Sequence, residues 1–353
     1  MSISVFDHPW LGALLGDGET AVHFSPEAEL RSMLDFETAL AKVEADSGII
    51  PGTAAAAIAQ AAGSFKPDEA ALAQAAARDG VVVPEWLGQL RRAVGAPDDV
   101  HVHFGATSQD VLDTSLVLRL TPVLDIFEAR LGKLDDRLSE LSRQHGTQKL
   151  MGRTRMQRAL LITWADKIAA WRAPLTRHHA RLQGLKPRLL VVQLGGPVGT
   201  LDKLGDKGPA LVTALARELG LAAPANSWHT ARDTLAEFAG WLSLLTGALG
   251  KIGQDIALLA QNEVGEVTIA GGGRSSAMIH KSNPVLAEML VSLARFNAVQ
   301  LSGMHQALVH EMERSGAAWT LEWMVLPQMV VATGASLSRA IALLDAMQIN
   351  AKG

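Results

Sequence analysis

The chain has neither cysteine nor tyrosine among its 353 residues. Without thiols it can build no disulfide frame, no thiolate zinc site and no cysteine nucleophile, and their absence suits a reducing compartment. Without phenols it has no tyrosine acid or base. It also lacks a charge excess, since 32 Lys and Arg stand against 36 Asp and Glu for a formal charge of −4. No basic stripe appears, which argues against nucleic acid and anionic membranes as partners. Met1 to Trp10 lack the basic-then-apolar pattern of a signal peptide, and no apolar run nears the roughly 20 residues that span a bilayer. The expectation is a cytoplasmic protein. His101 and His103 stand at i, i+2, but no acid cluster or cysteine accompanies them, so no metal is expected. What the chain does have is apolar mass: 48% of its residues are hydrophobic, enough for a large core in two domains or one elongated one.

Ser25-Pro26-Glu27 reads as an N-cap, a first-turn proline and an acid at the positive end of the helix dipole, opening a helix to about Ser47. Short Ala-rich helices are expected near Thr53 to Ala62, Asp68 to Arg78 and Pro84 to Val94. Gly95 to Asp99 is turn-rich and marks a boundary. Beyond it the periodicity lengthens. Leu120, Leu124, Phe127, Leu131, Leu134, Leu138 and Leu141 alternate spacings of four and three, a coiled-coil-like seam reaching back to Thr107, with Pro122 expected to kink it. Ala231, Leu235, Phe238, Leu242, Leu245, Leu249, Ile252, Ile256 and Leu259 repeat the pattern. Further long helices are read at about Met156 to Gln183, Pro284 to Arg314 and Trp319 to Ala346. Leu182 to Lys207 reads as a Gly- and Pro-rich loop with a short strand at Leu189 to Leu194. The expected fold is all-α: residues 1–98 as an N-terminal helical domain, 99–335 as a central long-helix bundle and 336–353 as a short C-terminal remnant. Trp241, Leu244, Ala248 and Leu258 lie off the main seam, which fits either packing between subunits or a wider core within one chain.

The densest chemistry lies between Gly271 and Pro284. Three consecutive glycines free the backbone, Ser275 and Ser276 bring hydroxyls, and Lys281 brings a cation. Asn283 and Pro284 read as the N-cap and first residue of a helix whose N–H groups face the loop. Such a segment suits an anion; an ordinary Gly-rich connection ended by a cap also explains the glycines and the cap. His280, beside Lys281, suits proton transfer or a solvent-facing position. A second polar cluster, His103 to Thr114, opens the first long helix. Thr107 with Asp110 three residues on makes a capping box, a structural role sufficient to explain both.

Ser-Ser-x-Met-x-x-Lys-x-Asn-Pro at 275–284 resembles the signature loop of the fumarase/aspartase superfamily, with Arg274 where that family usually has Gly and Ile279 where it usually has Pro. His103-x-Gly-x-Thr107-Ser108-x-Asp110 resembles the superfamily's first motif, and Arg153-Thr154-Arg155-Met156-Gln157 its second. There Arg155 replaces a usual His, a departure shared by the 3-carboxy-cis,cis-muconate cycloisomerase branch. Phe24 to Pro51, Gln193 to Leu201 and Glu311 to Trp319 are similar to that branch too.

The resemblance implies a long-helix bundle associating into a multi-subunit central bundle, a homotetramer whose sites draw on three subunits. It implies Ser275 and Lys281 as catalytic residues. His103, Thr107, Ser108, Thr154, Arg155, Gln157, Arg274, Ser276, Asn283 and Arg314 would bind a small polycarboxylate, with no cofactor and no metal. The implied reaction is intramolecular lactonisation of 3-carboxy-cis,cis-muconate in protocatechuate breakdown. An adenylosuccinate-lyase-like eliminase releasing fumarate is the alternative, and a non-catalytic structural tetramer a further one. The superfamily's usual third domain is largely missing after position 335.

Overall fold

The structure, a computed structural model, describes residues 4–278 and 281–350. Two single-turn helices, α1 (Gly12–Leu15) and α2 (Gly18–Ala21), precede four helices of an N-terminal layer: α3 (Pro26–Asp46), α4 (Gly52–Ser64), α5 (Glu69–Asp79) and α6 (Val83–Val94). Ser25 caps α3 through its Oγ, which accepts from the Ala28 N–H at 3.2 Å. Asp68 caps α5 in the same way, and Gly80 at φ 77° ends it. The bundle follows as α7 (Ser108–His145), α8 (Trp164–Leu189), α10 (Asp233–Leu259), α11 (Val285–Gln306) and α12 (Ala317–Ala346), with the short α9 (Gly208–Glu218) packed on α3. α7 continues through Pro122, and α12 continues unbroken across residues 335 and 336.

The expected seams form the main core. Leu120, Leu124, Phe127, Leu134 and Leu138 of α7 and Phe238, Leu242, Leu245 and Leu249 of α10 are inaccessible to solvent. Phe127, Trp241 and Phe238 stack with centroids 6.2 Å apart. A second core joins α3, α4 and α6 to the first turns of α7. α10 and α11 touch through glycine: a Cβ at Gly253 would stand 2.6 Å from the Ala287 carbonyl oxygen, and one at Gly250 2.6 Å from the Ala294 Cβ. This contact holds both ends of the segment between the two helices.

Three expectations are corrected. The run from Met156 is not helical. Lys149–Thr154 (β1) and Gln157–Thr163 (β2) pair as an antiparallel ribbon, Arg155 and Met156 form its turn with φ of 50° and 66°, and the helix starts only at Trp164. Leu189 to Leu194 is no strand, because α8 runs to Leu189 and only Val191 makes a bridge, to Ala222. α11 stops at Gln306, eight residues short of Arg314. Two further ribbons are minimal: Val267–Ile269 (β3) with Met347–Ile349 (β6), and Gly273–Arg274 (β4) with Ser282–Asn283 (β5).

By length and composition alone α10 and α12 would each pass for a membrane span, yet half or more of each apolar stretch is buried within the protein. Their buried sides face other helices of the bundle. What stays exposed, Leu244 of α10, Val299 of α11 and Trp323 and Met324 of α12, is apolar surface in need of a neighbour.

Candidate active site

Asp110 organises the first cluster. Its carboxylate is buried and accepts four hydrogen bonds: from the Thr107 N–H at 2.9 Å, the Gly195 and Gly196 N–H groups at 2.8 and 2.9 Å, and His229 Nε2 at 2.7 Å. The capping acid therefore ties the start of α7 to the Gly195-Gly196-Pro197 loop and to the segment before α10. Gly195 leaves no room for a side chain, since a Cβ there would lie 2.6 Å from Ser227 Oγ. Gln109 extends the arrangement, donating to the His229 carbonyl at 2.8 Å and accepting from Arg314 Nε at 3.1 Å. Arg314 also donates to the Pro197 carbonyl at 3.0 Å. The start of α7 thus gathers Thr107, Ser108 and Arg314 at one place, and Thr107 and Ser108 remain partly accessible.

His103, at φ 63°, lies just upstream. Its Nδ1 is 2.5 Å from Glu37 Oε1, and the side chain is nearly buried. Two turns on from Glu37 along α3, Glu44 is fully buried, and neither of its oxygens has a hydrogen-bond partner among the described residues. Burial first, and the Glu37 charge second, push its carboxyl up to about 9. A carboxyl raised in the folded state binds a proton that the unfolded chain has released. Its stabilising contribution is therefore whole below the ordinary carboxylate range and is lost as pH rises towards 9. Wild-type stability is expected to fall with pH in this window by up to about 1.4 kcal/mol per unit from this group. Glu44→Gln should flatten that slope, measured as urea midpoints at pH 6 and pH 9; an unchanged slope would remove Glu44 as its source.

The second predicted group stands elsewhere. Thr154, Arg155 and Gln157 are exposed at the tip of the β1–β2 ribbon, with Thr154 and Gln157 as the last paired residues around the turn. Arg153, one pair back from the turn, anchors the ribbon with a bidentate ion pair to Glu266, at 2.8 and 3.1 Å, beyond the end of α10. The third group occupies the β4–β5 hairpin. Ser275 Oγ accepts from the Ala277 and Met278 N–H groups at 3.3 and 3.1 Å, while Arg274, Ser276 and Lys281 are exposed. Lys281 and Asn283 line a groove of about 640 Å³ with Asn262, Thr268 and Asn350. His280 and Ile279 lie outside the described residues.

Two details of this loop differ from expectation. Asn283 is not the cap of α11: it is extended in β5, the helix begins at Val285 after Pro284, and no side chain among the described residues caps it. The glycine run is also packed. A Cβ at Gly272 would collide with Ser282 Oγ and one at Gly273 would meet Val285 at 2.5 Å, so only Gly271, at φ 68°, is there for its torsion.

The groups do not meet within one chain. Arg232, before α10, bonds Asp113 near the start of α7, and Arg153, after α7, bonds Glu266 after α10, so the two helices run in the same sense. α7 has 38 residues, a length of about 57 Å. Thr107, Ser108 and Arg314 thus lie at one end of the bundle, and the ribbon and the 273–283 hairpin at the other. Among the described residues no group of three or more His, Asp or Glu side chains is arranged to hold a metal ion.

Comparison with known proteins gives this geometry its context. A family described as Lyase matches residues 20–299. This chain belongs to that family, the fumarase/aspartase lyases. It is 43% identical over 335 residues to 3-carboxy-cis,cis-muconate cycloisomerase of Pseudomonas aeruginosa, covering 93% of this chain and 73% of that one. The Pseudomonas putida protein of the same name is 42% identical over 93% of this chain and 79% of its own length. The crystal structure of the 3-carboxy-cis,cis-muconate lactonizing enzyme from Pseudomonas putida superposes with a TM-score of 0.91 at 41% identity, covering 97% of this chain and 77% of that one. The all-α long-helix architecture expected from the seams is the fold of this lyase family.

Proposed function

We propose that the protein is a cytoplasmic 3-carboxy-cis,cis-muconate cycloisomerase acting as a homotetramer, with each site shared between subunits. The observation that carries the activity is the identity to two cycloisomerases across nearly the whole chain. Arg155, at the ribbon turn in place of the His of most lyases in the family, supports it against the C–N lyase alternative. The shared site is supported by separation of the three groups along a bundle about 57 Å long and by the exposed apolar residues of α10, α11 and α12. The exposed Met156, Leu160 and Leu161 of the ribbon suit the same packing.

In this reading one terminal carboxylate of the substrate attacks the carbon that bears the extra carboxyl, closing a five-membered lactone. The electron pair moves to the adjacent carbon, alpha to the other terminal carboxylate, which then takes a proton. Reactant and product are isomers, so the protein supplies positioning, charge stabilisation and a proton. Ser275 donates that proton. Its alkoxide is stabilised by Lys281 and by the N–H groups of Ala277 and Met278 that already point at Oγ. The uncapped first turn of α11 and Lys281 receive the developing aci-carboxylate. Thr107, Ser108, Thr154 and Gln157 hold the carboxylates, with Arg314, Asn283 and Ser276 at the margins.

Arg155 or Arg274 is assigned to the third anionic group, because a tricarboxylate needs more fixed positive charge and a guanidinium pairs in bidentate fashion. Arg155→His or Arg274→Gly is expected to raise KM for the tricarboxylate by about tenfold or more; KM unchanged in both variants would remove this assignment. Turnover in D2O tests the reaction itself. The lactone should carry one deuterium beside the free side-chain carboxylate; recovery of unchanged diene would contradict the reading.

A further inference from the structure

A cavity of about 370 Å³ lies between the N-terminal layer and the bundle, bounded by α3, the α5–α6 turn, α7 and α12. None of the residues assigned above to the reaction lines it. Its walls are mainly apolar, with Leu112 and Leu116 of α7 facing Trp323 and Leu326 of α12. Its volume lies within the range of small-molecule sites.

The polar groups of the lining are unequally satisfied. At one side Arg232 is clamped by Asp113 at 2.6 and 3.0 Å and by Glu322 at 2.9 and 2.5 Å, with its guanidinium 4.8 Å from the Trp228 ring. These charges are spent on one another. Arg119 is different. Its side chain is only 11% exposed, yet Nε and one terminal N–H reach only the Ser115 and His23 carbonyls, at 3.3 and 3.4 Å. Its one carboxylate neighbour, Glu29, is 3.9 Å away and 40% exposed. Burial of the guanidinium outweighs Glu29 and draws its proton affinity down. Of its five N–H donors, three have no hydrogen-bond partner among the described residues, enough to offer a carboxylate the two parallel donors of a bidentate pair.

We propose that this cavity is a second ligand site, for a small aromatic monocarboxylate whose acid group pairs with Arg119 and whose ring lies among Leu112, Leu116 and Leu326. Binding here is non-covalent and stands apart from the lactonisation.

Benzoate is the probe, titrated calorimetrically into the intact oligomer. Binding should persist when 3-carboxy-cis,cis-muconate saturates the protein. Uncharged benzyl alcohol should bind wild type about tenfold more weakly, and Arg119→Gln should weaken benzoate by a similar factor, leaving kcat/KM within about twofold. Leu116→Trp, which fills the cavity and keeps Arg119, should also abolish the heat. Absence of binding to wild type at about 10 mM benzoate, displacement by the tricarboxylate, or equal affinity of benzoate and benzyl alcohol would each overturn the proposal.

Discussion

Ser275→Ala is expected to lower kcat on 3-carboxy-cis,cis-muconate by about 10²–10⁴-fold, the usual scale for removing a positioned acid, while the oligomer stays intact. The hydroxyl carries out the proton transfer in this account, and its removal leaves no hydroxyl on that residue where the donor must stand. The change is small enough to spare the fold, because Ser275 is partly exposed and, among the described residues, its Oγ bonds only two amides of its own loop. Stopped-flow or steady-state kinetics with a size-exclusion control makes the comparison. A variant within a few fold of wild type would move the proton donor elsewhere. KM should change far less than kcat, since the lost group acts on the carbon that is protonated rather than on a bound carboxylate.

The second large effect concerns assembly. Ser108→Ala and Ser275→Ala sit at opposite ends of the bundle, so in the proposed shared site these two serines come from different chains. Each variant alone is expected to be severely impaired. Mixed at equal amounts after subunit exchange, they should regain about one quarter of wild-type activity, because each serine is then intact at a given site with even odds. Dissociation in mild denaturant, mixing and dilution, followed by the same assay, reads this out. If the mixture stayed as inactive as its parts while mass spectrometry showed mixed oligomers, each site would belong to a single chain.

The long helices were legible because their cores are repetitive. The seams of α7 and α10 are buried at the positions their spacing selected, and Ser25, Pro26 and Asp68 mark helix starts by local chemistry that operates within one turn. The ribbon before α8 was not legible as periodicity. Gln157 to Thr163 is rich in apolar residues that continue smoothly into the helix, so spacing alone could not separate them. The signal was present in another form. Thr163 and Asp166 form a reciprocal capping box, with the Thr163 N–H bonded to Asp166 Oδ2 at 2.9 Å and the Asp166 N–H to Thr163 Oγ1 at 3.2 Å. That motif places the helix start at Trp164.

The candidate residues were picked out by motif spacing, whereas what holds them in place was not legible that way. The part of Asp110 in joining three distant segments depends on Gly195, Gly196 and His229, which are over eighty residues away in sequence. Read locally, Asp110 was a helix cap, and it does cap; burial gave its remaining lone pairs to donors that only the tertiary fold supplies. Likewise the glycines before Arg274 were read as freedom, while two of them are there for want of space.

The measurement that tests the central claim most directly is the ultraviolet absorbance of 3-carboxy-cis,cis-muconate mixed with the purified wild-type oligomer. Lactonisation shortens the conjugated diene, so the absorbance should fall as the product accumulates. An undiminished diene band, with the oligomer confirmed in the same sample, would contradict the account and turn attention to C–N lyase substrates.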